Sequence, residues 1–191
     1  MNSHMWWYLA RGSGLVATGV LTATVAFGIV FSTRLFGRAV APAWLLDLHW
    51  FLGGLSLCVL GVHIGALMLD GYVHFGVVDV TVPMAASWRP GAVAWGVVAM
   101  WILLAVEISS LLRRHISTRV WRIVHRLSAI AFIATLAHAA TAGSDTRGLL
   151  CEICGAVAVG TVVFLTLVRV LAGRPQSGAR ARRQQPGRAM S

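Results

Sequence analysis

Five long apolar stretches alternate with short, more polar connections along the chain. Each stretch is long enough to cross a bilayer, which takes about 20 consecutive apolar residues in a helix. The stretches cover approximately residues 13–33, 44–69, 91–112, 120–142 and 149–171. This pattern predicts an all-α integral membrane protein built as a five-helix transmembrane bundle.

The same pattern divides the chain into three parts. Residues 1–12 form an N-terminal segment, in which the opening Met-Asn-Ser-His resembles a cloning remnant that would place the native start at Met5. Residues 13–172 form one transmembrane domain, and residues 173–191 are predicted to be a disordered basic tail. Composition agrees with a membrane domain: 58% of the 191 residues are hydrophobic, against about 45–50% in soluble domains.

Basic residues are distributed unevenly between the two membrane faces that the chain reaches alternately as it crosses five times. All sixteen are arginine, and thirteen of them fall on one side. These thirteen are Arg34, Arg38, Arg113, Arg114, Arg119, Arg122, Arg126, Arg169, Arg174, Arg180, Arg182, Arg183 and Arg188. By the positive-inside rule this side is cytoplasmic, which places the N-terminus outside and the C-terminus inside a bacterial cytoplasmic membrane. A short basic tail on such a chain favours lipid headgroups over nucleic acid as its partner.

Two of the predicted spans carry a histidine near each end. His49 and His63 are fourteen residues apart in the second span, and His125 and His138 are thirteen apart in the fourth. At 1.5 Å per residue both intervals are about 20 Å of helix. Both spans run from inside to outside, so His49 and His125 share an inner level and His63 and His138 an outer one. Each level then has one imidazole from each helix, the arrangement that two stacked b-type haems need.

The two histidine spacings differ in their helical phase. A spacing of fourteen keeps His49 and His63 on one face, whereas a spacing of thirteen leaves His125 and His138 about 140° apart on a straight helix. The fourth span therefore needs a bulge or a bend between them, or the haems must be offset in plane. Gly53, four residues after His49, is small enough to make room for a flat haem, although ordinary small-residue helix packing explains it equally well.

Four motifs resemble a known family. They are L-H-W-F-L-G-G at 48–54, H-I-G-A at 63–66, W-R-I-V-H-R-L at 121–127 and H-A-A-T-A-G-S-D at 138–145. With their spacings they resemble the ferric reductase-like transmembrane domain superfamily, which includes ferric reductases, NADPH oxidases and the haem-binding membrane subunit of the periplasmic methionine sulfoxide reductase. The resemblance implies a bis-histidine haem b at each level, His49 with His125 and His63 with His138, and electron transfer across the membrane.

Charged residues near the inner level are candidates for supporting roles. Arg126 and Arg122 flank His125 and are candidates for binding haem propionates, the alternative being ordinary positive-inside arginines. Glu107 is expected to form a salt bridge with a loop arginine in preference to carrying a proton for a quinol. On the other side, the loop at 70–90 is expected to lie along the membrane surface as a cap over the outer level.

The predicted function is transmembrane electron transfer by a di-haem b protein, either an oxidoreductase itself or a subunit of one. The chain has no G-x-G-x-x-G after a strand, no P-loop and no room for a flavin or nicotinamide domain. Donor and acceptor are therefore expected to be separate molecules, such as a flavoprotein, a quinol, a ferric chelate or a periplasmic redox protein. The alternatives are a quinone-linked haem b subunit, a membrane dithiol oxidoreductase using Cys151 and Cys154, and a haem-free scaffold subunit. His74 and Asp79 in the outer loop are too few to define a metal site.

Overall fold

A computed structural model of the protein describes residues 3–32, 43–71, 73–143 and 148–172. These residues form seven helices and no strand. The helices are α1 (Ser3–Ser32), α2 (Ala43–Leu69), α3 (Val77–Thr81), α4 (Pro90–Leu111), α5 (Thr118–Arg126), α6 (Ser128–Ala142) and α7 (Leu149–Ala172).

Five helical segments are long and apolar enough to cross a membrane: α1, α2, α4, α5 continued by α6, and α7. The predicted all-α, multi-pass membrane architecture is therefore confirmed. The largest shift of a boundary is at the N-terminus, where α1 begins at Ser3 and includes most of the segment 1–12. The predicted disordered tail at 173–191 lies outside the described residues.

The fourth span is interrupted at Leu127. The Leu127 N–H donates a hydrogen bond to the carbonyl of Val124, three residues back, at 2.9 Å. The α-helical pattern resumes where the Ala131 N–H donates to the Leu127 carbonyl, four residues back, at 2.9 Å. This local tightening changes the phase of the helix two residues after His125. A break in the α-helical pattern, one of the alternatives that the thirteen-residue spacing leaves open, is thus present between the two histidines.

The helices that carry the paired histidines do not pack directly on each other. The closest backbone packing of α2 is with α1, and that of α6 is with α4. Within the described ranges, no comparably close packing joins α2 to α6. Helices in direct contact have axes about 8–10 Å apart, so the space between α2 and α6 is the part of the bundle left for long side chains or a bound group.

Two apolar clusters stabilise the bundle around this space. One lies midway between the histidine levels and joins four helices through Leu21, Leu103, Phe132 and Ala158. The other packs the loop before α4 onto that helix through Phe75, Val80, Ala86, Val93, Val97 and Met100. Two side chains tie this loop down: Trp101 Nε1 donates to the Thr81 carbonyl at 2.8 Å, and Arg89 Nη1 donates to the Thr141 carbonyl at 2.9 Å.

Candidate functional site

The four histidines of the second and fourth spans meet in two pairs, each with one ring from either helix. The rings of His49 and His125 have centroids 6.0 Å apart and planes at 71°, and those of His63 and His138 have centroids 6.4 Å apart and planes at 80°. These are the two pairs that the spacing predicts. We call His49 and His125 the arginine-side pair, because Arg113 lies beside it, and His63 and His138 the loop-side pair, because the loop before α4 covers it.

The distance between the rings of each pair fits one metal ion held between them. A ligating imidazole nitrogen lies about 2.0 Å from a metal ion, and the ring centroid lies about 1 Å behind it, so two opposed imidazoles on one ion have centroids about 6 Å apart. Direct edge-to-face packing of two rings covers the same range. The described part of the chain has no cluster of three or more His, Cys, Asp or Glu side chains able to hold a metal ion. Each pair on its own supplies two imidazole ligands.

Three of the four imidazoles donate a hydrogen bond from Nδ1 to a helix carbonyl. The bonds run from His49 to Thr24 at 3.0 Å, from His63 to Ala10 at 2.7 Å and from His138 to Ala92 at 2.8 Å. Because a carbonyl oxygen only accepts, each of these rings carries its proton on Nδ1 and keeps a free lone pair on Nε2. This is the tautomer of a histidine whose Nε2 ligates a metal while Nδ1 is oriented by the protein.

The fourth imidazole, His125, is held in another way. Its Nδ1 is buried and has no hydrogen-bond partner in the described residues. Trp121, one helical turn earlier, stacks on the His125 ring with centroids 5.0 Å apart and planes at 25°. The Arg113 guanidinium lies 4.5 Å from the centroid of Trp121. A cation, an indole and an imidazole thus form one continuous stack at the arginine-side pair.

The loop-side pair opens onto a cavity of about 360 Å³. His63, His138 and apolar residues of α1, α2 and α4 line it, together with Arg11 and the buried Asp70. Cofactor and ligand sites typically have volumes of about 300–1,000 Å³. The loop before α4 contributes Val73, Phe75, Val80 and Trp88 to the lining. The expected cap over this pair is therefore present.

The two arginines predicted to bind haem propionates lie on the protein surface. Arg122 and Arg126 are exposed and line a groove along α5 with Thr118, Arg119 and Ile123. No contact of theirs with His49 or His125 is found in the described residues, so the propionate role stays a prediction. The arginine placed at this pair is instead Arg113, which the sequence did not single out.

Glu107 forms no salt bridge with an arginine of the described residues. Arg34 and Arg38, on the same predicted side of the membrane, lie outside them, so the expected salt bridge with a loop arginine stays a prediction. Within the described ranges its carboxylate has no ion-pair or hydrogen-bond partner. It lies against Gly53, where an added Cβ would be 2.6 Å from Glu107 Oε1. Gly53 was equally consistent with room for a haem and with ordinary helix packing, and the space beside it is filled by this carboxylate, one helical turn from His49.

The remaining candidates that the structure describes do not line the loop-side cavity. Asp79 Oδ2 accepts from the Gly76 N–H at 2.7 Å and so caps the short helix α3, while His74 is exposed. Cys154 is exposed, and the side chain of Cys151 lies outside the described residues. The dithiol alternative stays a prediction.

Comparisons with known protein families, with curated proteins and with solved structures find no match for this chain. The resemblance to the ferric reductase-like domain therefore stays a prediction that rests on the four motifs. What the site can do follows from the geometry of the two histidine pairs.

Proposed function

We propose that this chain is an integral membrane cytochrome b that holds one b-type haem at each histidine pair and passes electrons across the membrane. His49 and His125 are the axial ligands on the arginine side, and His63 and His138 those on the loop side. The arginine side is cytoplasmic and the loop side external, as the positive-inside rule indicates for a bacterial cytoplasmic membrane. Donor and acceptor are separate molecules, a flavoprotein or quinol inside and a ferric chelate or periplasmic redox protein outside.

The observation that carries this proposal is the repeated pairing of imidazoles across a gap. Two helices that lack close mutual packing each send one ring toward the other at two levels, with centroids 6.0 and 6.4 Å apart. An intramembrane histidine needs a compensating partner, and chance packing would not be expected to satisfy four of them in two equivalent pairs. Axial ligation by Nε2 satisfies all four with the tautomer that three of them already have.

The chain's own residues keep these sites neutral, oriented and dry. Carbonyl groups of α1 and α4 hold three rings by Nδ1, and Trp121 holds the fourth by stacking. The apolar cluster that includes Leu21, Leu103 and Phe132 separates the two levels and excludes water between them. A bound haem supplies the one-electron iron couple, whose potential depends on its axial ligands and their hydrogen bonds.

The first test is a reduced-minus-oxidised spectrum of the full chain purified in detergent, with a pyridine haemochrome count of haem per chain. We expect two b-type haems per chain with a low-spin, bis-histidine spectrum. The variants His63→Ala and His138→Ala should each lose the loop-side haem and keep the other. His115→Ala and His74→Ala, at exposed loop positions, are the matched controls and should keep both.

Absence of haem from wild-type protein produced in cells supplied with haem would overturn the proposal and favour a scaffold subunit or the dithiol alternative. Retention of both haems in His63→Ala and His138→Ala would overturn the ligand assignment.

Glu107 favours a quinone-linked variant of this function. Its carboxylate lies inside a membrane span, beside Gly53 and near the arginine-side pair, and no partner for it is found in the described parts of the chain. Such a group is suited to accept one of the two protons that a quinol releases on oxidation, and the two electrons would leave one at a time through the nearer haem. Glu107→Gln should then slow haem reduction by a quinol and leave reduction by dithionite unchanged. Equal rates for wild type and variant with the quinol would rule this variant out.

A further inference from the structure

Each imidazole that is hydrogen-bonded through Nδ1 also contacts a glycine at a fixed position. The accepting residues are Ala10, Thr24 and Ala92, and the glycines four residues later are Gly14, Gly28 and Gly96. In an α-helix the residue four positions on lies one turn further along the same face. The ring edge therefore reaches a carbonyl at the place where the next turn of that helix has no side chain.

A side chain at any of the three glycines would meet the ring that it faces. An added Cβ would lie 2.8 Å from His138 Nδ1 at Gly96, 3.0 Å from His63 Cε1 at Gly14 and 3.1 Å from His49 Cε1 at Gly28. Favourable separations between such non-bonded atoms are about 3.5–4.0 Å. The methyl group would press on the ring edge that includes Nδ1, so the ring could retreat only by lengthening its hydrogen bond.

The arrangement is repeated along α1 with the spacing of the histidines in α2. Gly14 and Gly28 are fourteen residues apart, as are Ala10 and Thr24 and as are His49 and His63. The two helices are antiparallel, because Gly14 faces His63 and Gly28 faces His49. Other glycines of α1, such as Gly12 and Gly19, have nothing within 4 Å of an added Cβ, so the close approach is specific to the two histidine levels.

We propose that Gly14, Gly28 and Gly96 are positioning residues for the axial ligands. The absence of a side chain at each lets the imidazole reach the carbonyl one turn earlier and fixes both the tautomer and the ring orientation. This inference rests on the proposed function for its effect on haem. A hydrogen bond from Nδ1 makes the ligand more basic and favours ferric iron, so its loss raises the reduction potential of that haem.

The test compares glycine-to-alanine variants of the full chain purified in detergent. Gly96→Ala, Gly14→Ala and Gly28→Ala are paired with Gly91→Ala on α4 and Gly12→Ala and Gly19→Ala on α1, where an added Cβ meets open space. The readouts are haem per chain, the electron paramagnetic resonance signals of the low-spin ferric haems, and redox titration. Alanine is the better helix former, so the control variants should fold and keep both haems unchanged.

The expected changes are specific to one site and graded by the closeness of the contact. Gly96→Ala should lose the loop-side haem from most molecules, or shift its resonance and raise its potential. Gly14→Ala should affect the same haem less, and Gly28→Ala only the arginine-side haem. Two intact haems with wild-type signals and potentials in all three variants would overturn the inference and leave the proposed function standing. Equal damage to both haems in each variant would also overturn it, since that would indicate general unfolding.

A second measurement does not require haem. In haem-free protein labelled with ¹⁵N-histidine, each bonded Nδ1–H should give a slowly exchanging NMR signal. Each of the three variants should lose or weaken one such signal, and the three controls none. If the wild type binds no haem, the proposed function fails, and these spectra still decide the inference. Unchanged histidine signals in all three variants would overturn it.

Discussion

The loop-side and arginine-side pairs place two imidazoles at nearly the same separation but hold them differently. On the loop side both His63 and His138 donate Nδ1–H to helix carbonyls. On the arginine side only His49 does so, and His125 is held by stacking on Trp121. Main-chain carbonyls on two flanking helices therefore orient one site, whereas a side-chain stack replaces one of these bonds at the other.

The surroundings of the two pairs differ as well: one pair is covered by a loop, and the other is next to an exposed basic surface. A packed loop covers the loop-side pair and lines its cavity. The arginine-side pair is bordered by Arg113 and by the surface groove of α5, whose arginines are exposed. In the proposed cytochrome, a covered site and a site beside an exposed basic surface would suit different redox partners, because a basic surface attracts acidic partners through long-range electrostatics.

Removing the stack of Trp121 on His125 should have the largest effect on the difference between the two pairs. Trp121→Ala leaves His125 without stacking and without an Nδ1 bond. The arginine-side haem of the proposed cytochrome should therefore bind about two- to tenfold more weakly, given about 0.5–1.5 kcal/mol for an aromatic pair beyond its buried area. The loop-side haem should be unaffected. Trp44→Ala, at an exposed position of α2, is the control. The measurement is competition for haem by apomyoglobin; an unchanged affinity of the arginine-side site would contradict the role given to the stack.

The unequal hydrogen bonding should appear directly in the wild-type redox titration. In the proposed cytochrome both ligands of the loop-side haem would donate such a bond and only one ligand of the arginine-side haem would, so the loop-side potential should be lower. One bond worth about 1 kcal/mol corresponds to about 40 mV for a one-electron couple. The His63→Ala variant, which should keep only the arginine-side haem, assigns the two waves. A single wave, or the opposite order, would show that another influence dominates.

The smallest expected effect is electrostatic and belongs to Arg113. A cation near the arginine-side pair disfavours the ferric state, so Arg113→Gln should lower the reduction potential of that haem by about 10–20 mV. An exposed cation–π contact is worth about 0.5–1 kcal/mol, and the expected shift corresponds to a fraction of that energy for a one-electron couple. Raising the ionic strength should reduce the shift. Arg114→Gln, the exposed neighbour, serves as the control. Equal shifts in both variants would point to a general surface potential rather than to the stack.

Hydrophobic spacing predicted the five spans. Histidine spacing predicted the two pairs only together with the parallel direction of the second and fourth spans, which the arginine distribution indicated. A break in the fourth span was one of the expected alternatives, because thirteen residues cannot keep His125 and His138 in phase on a straight helix, but its position at Leu127 was not predicted. Trp121 could have been found as well, since it lies one turn from His125 on the same face.

The parts of the site that could not be predicted depend on contacts between helices. Arg113 reaches Trp121 only because the chain after α4 folds back, and no periodicity specifies that turn. Gly14 and Gly28 repeat the spacing of His49 and His63, but ordinary small-residue packing explains glycines in a membrane helix equally well. Their meaning depends on α1 and α2 being antiparallel with this register. Whether Gly53 made room for a haem or served helix packing stayed open in the sequence, because the position of Glu107 across the gap was unknown.

The antiparallel register of α1 against α2 also sets the distance between the two histidine levels. From Gly14 to Gly28 the helix rises about 21 Å, and the same rise separates the two histidines opposite. Deleting one residue between these glycines would shift one of them by about 1.5 Å and rotate it by about 100° relative to the other, so only one of the two imidazoles could keep its carbonyl. In the proposed cytochrome, the distance that an electron travels between the irons is therefore fixed in part by the peptide geometry of a helix that contributes no ligand.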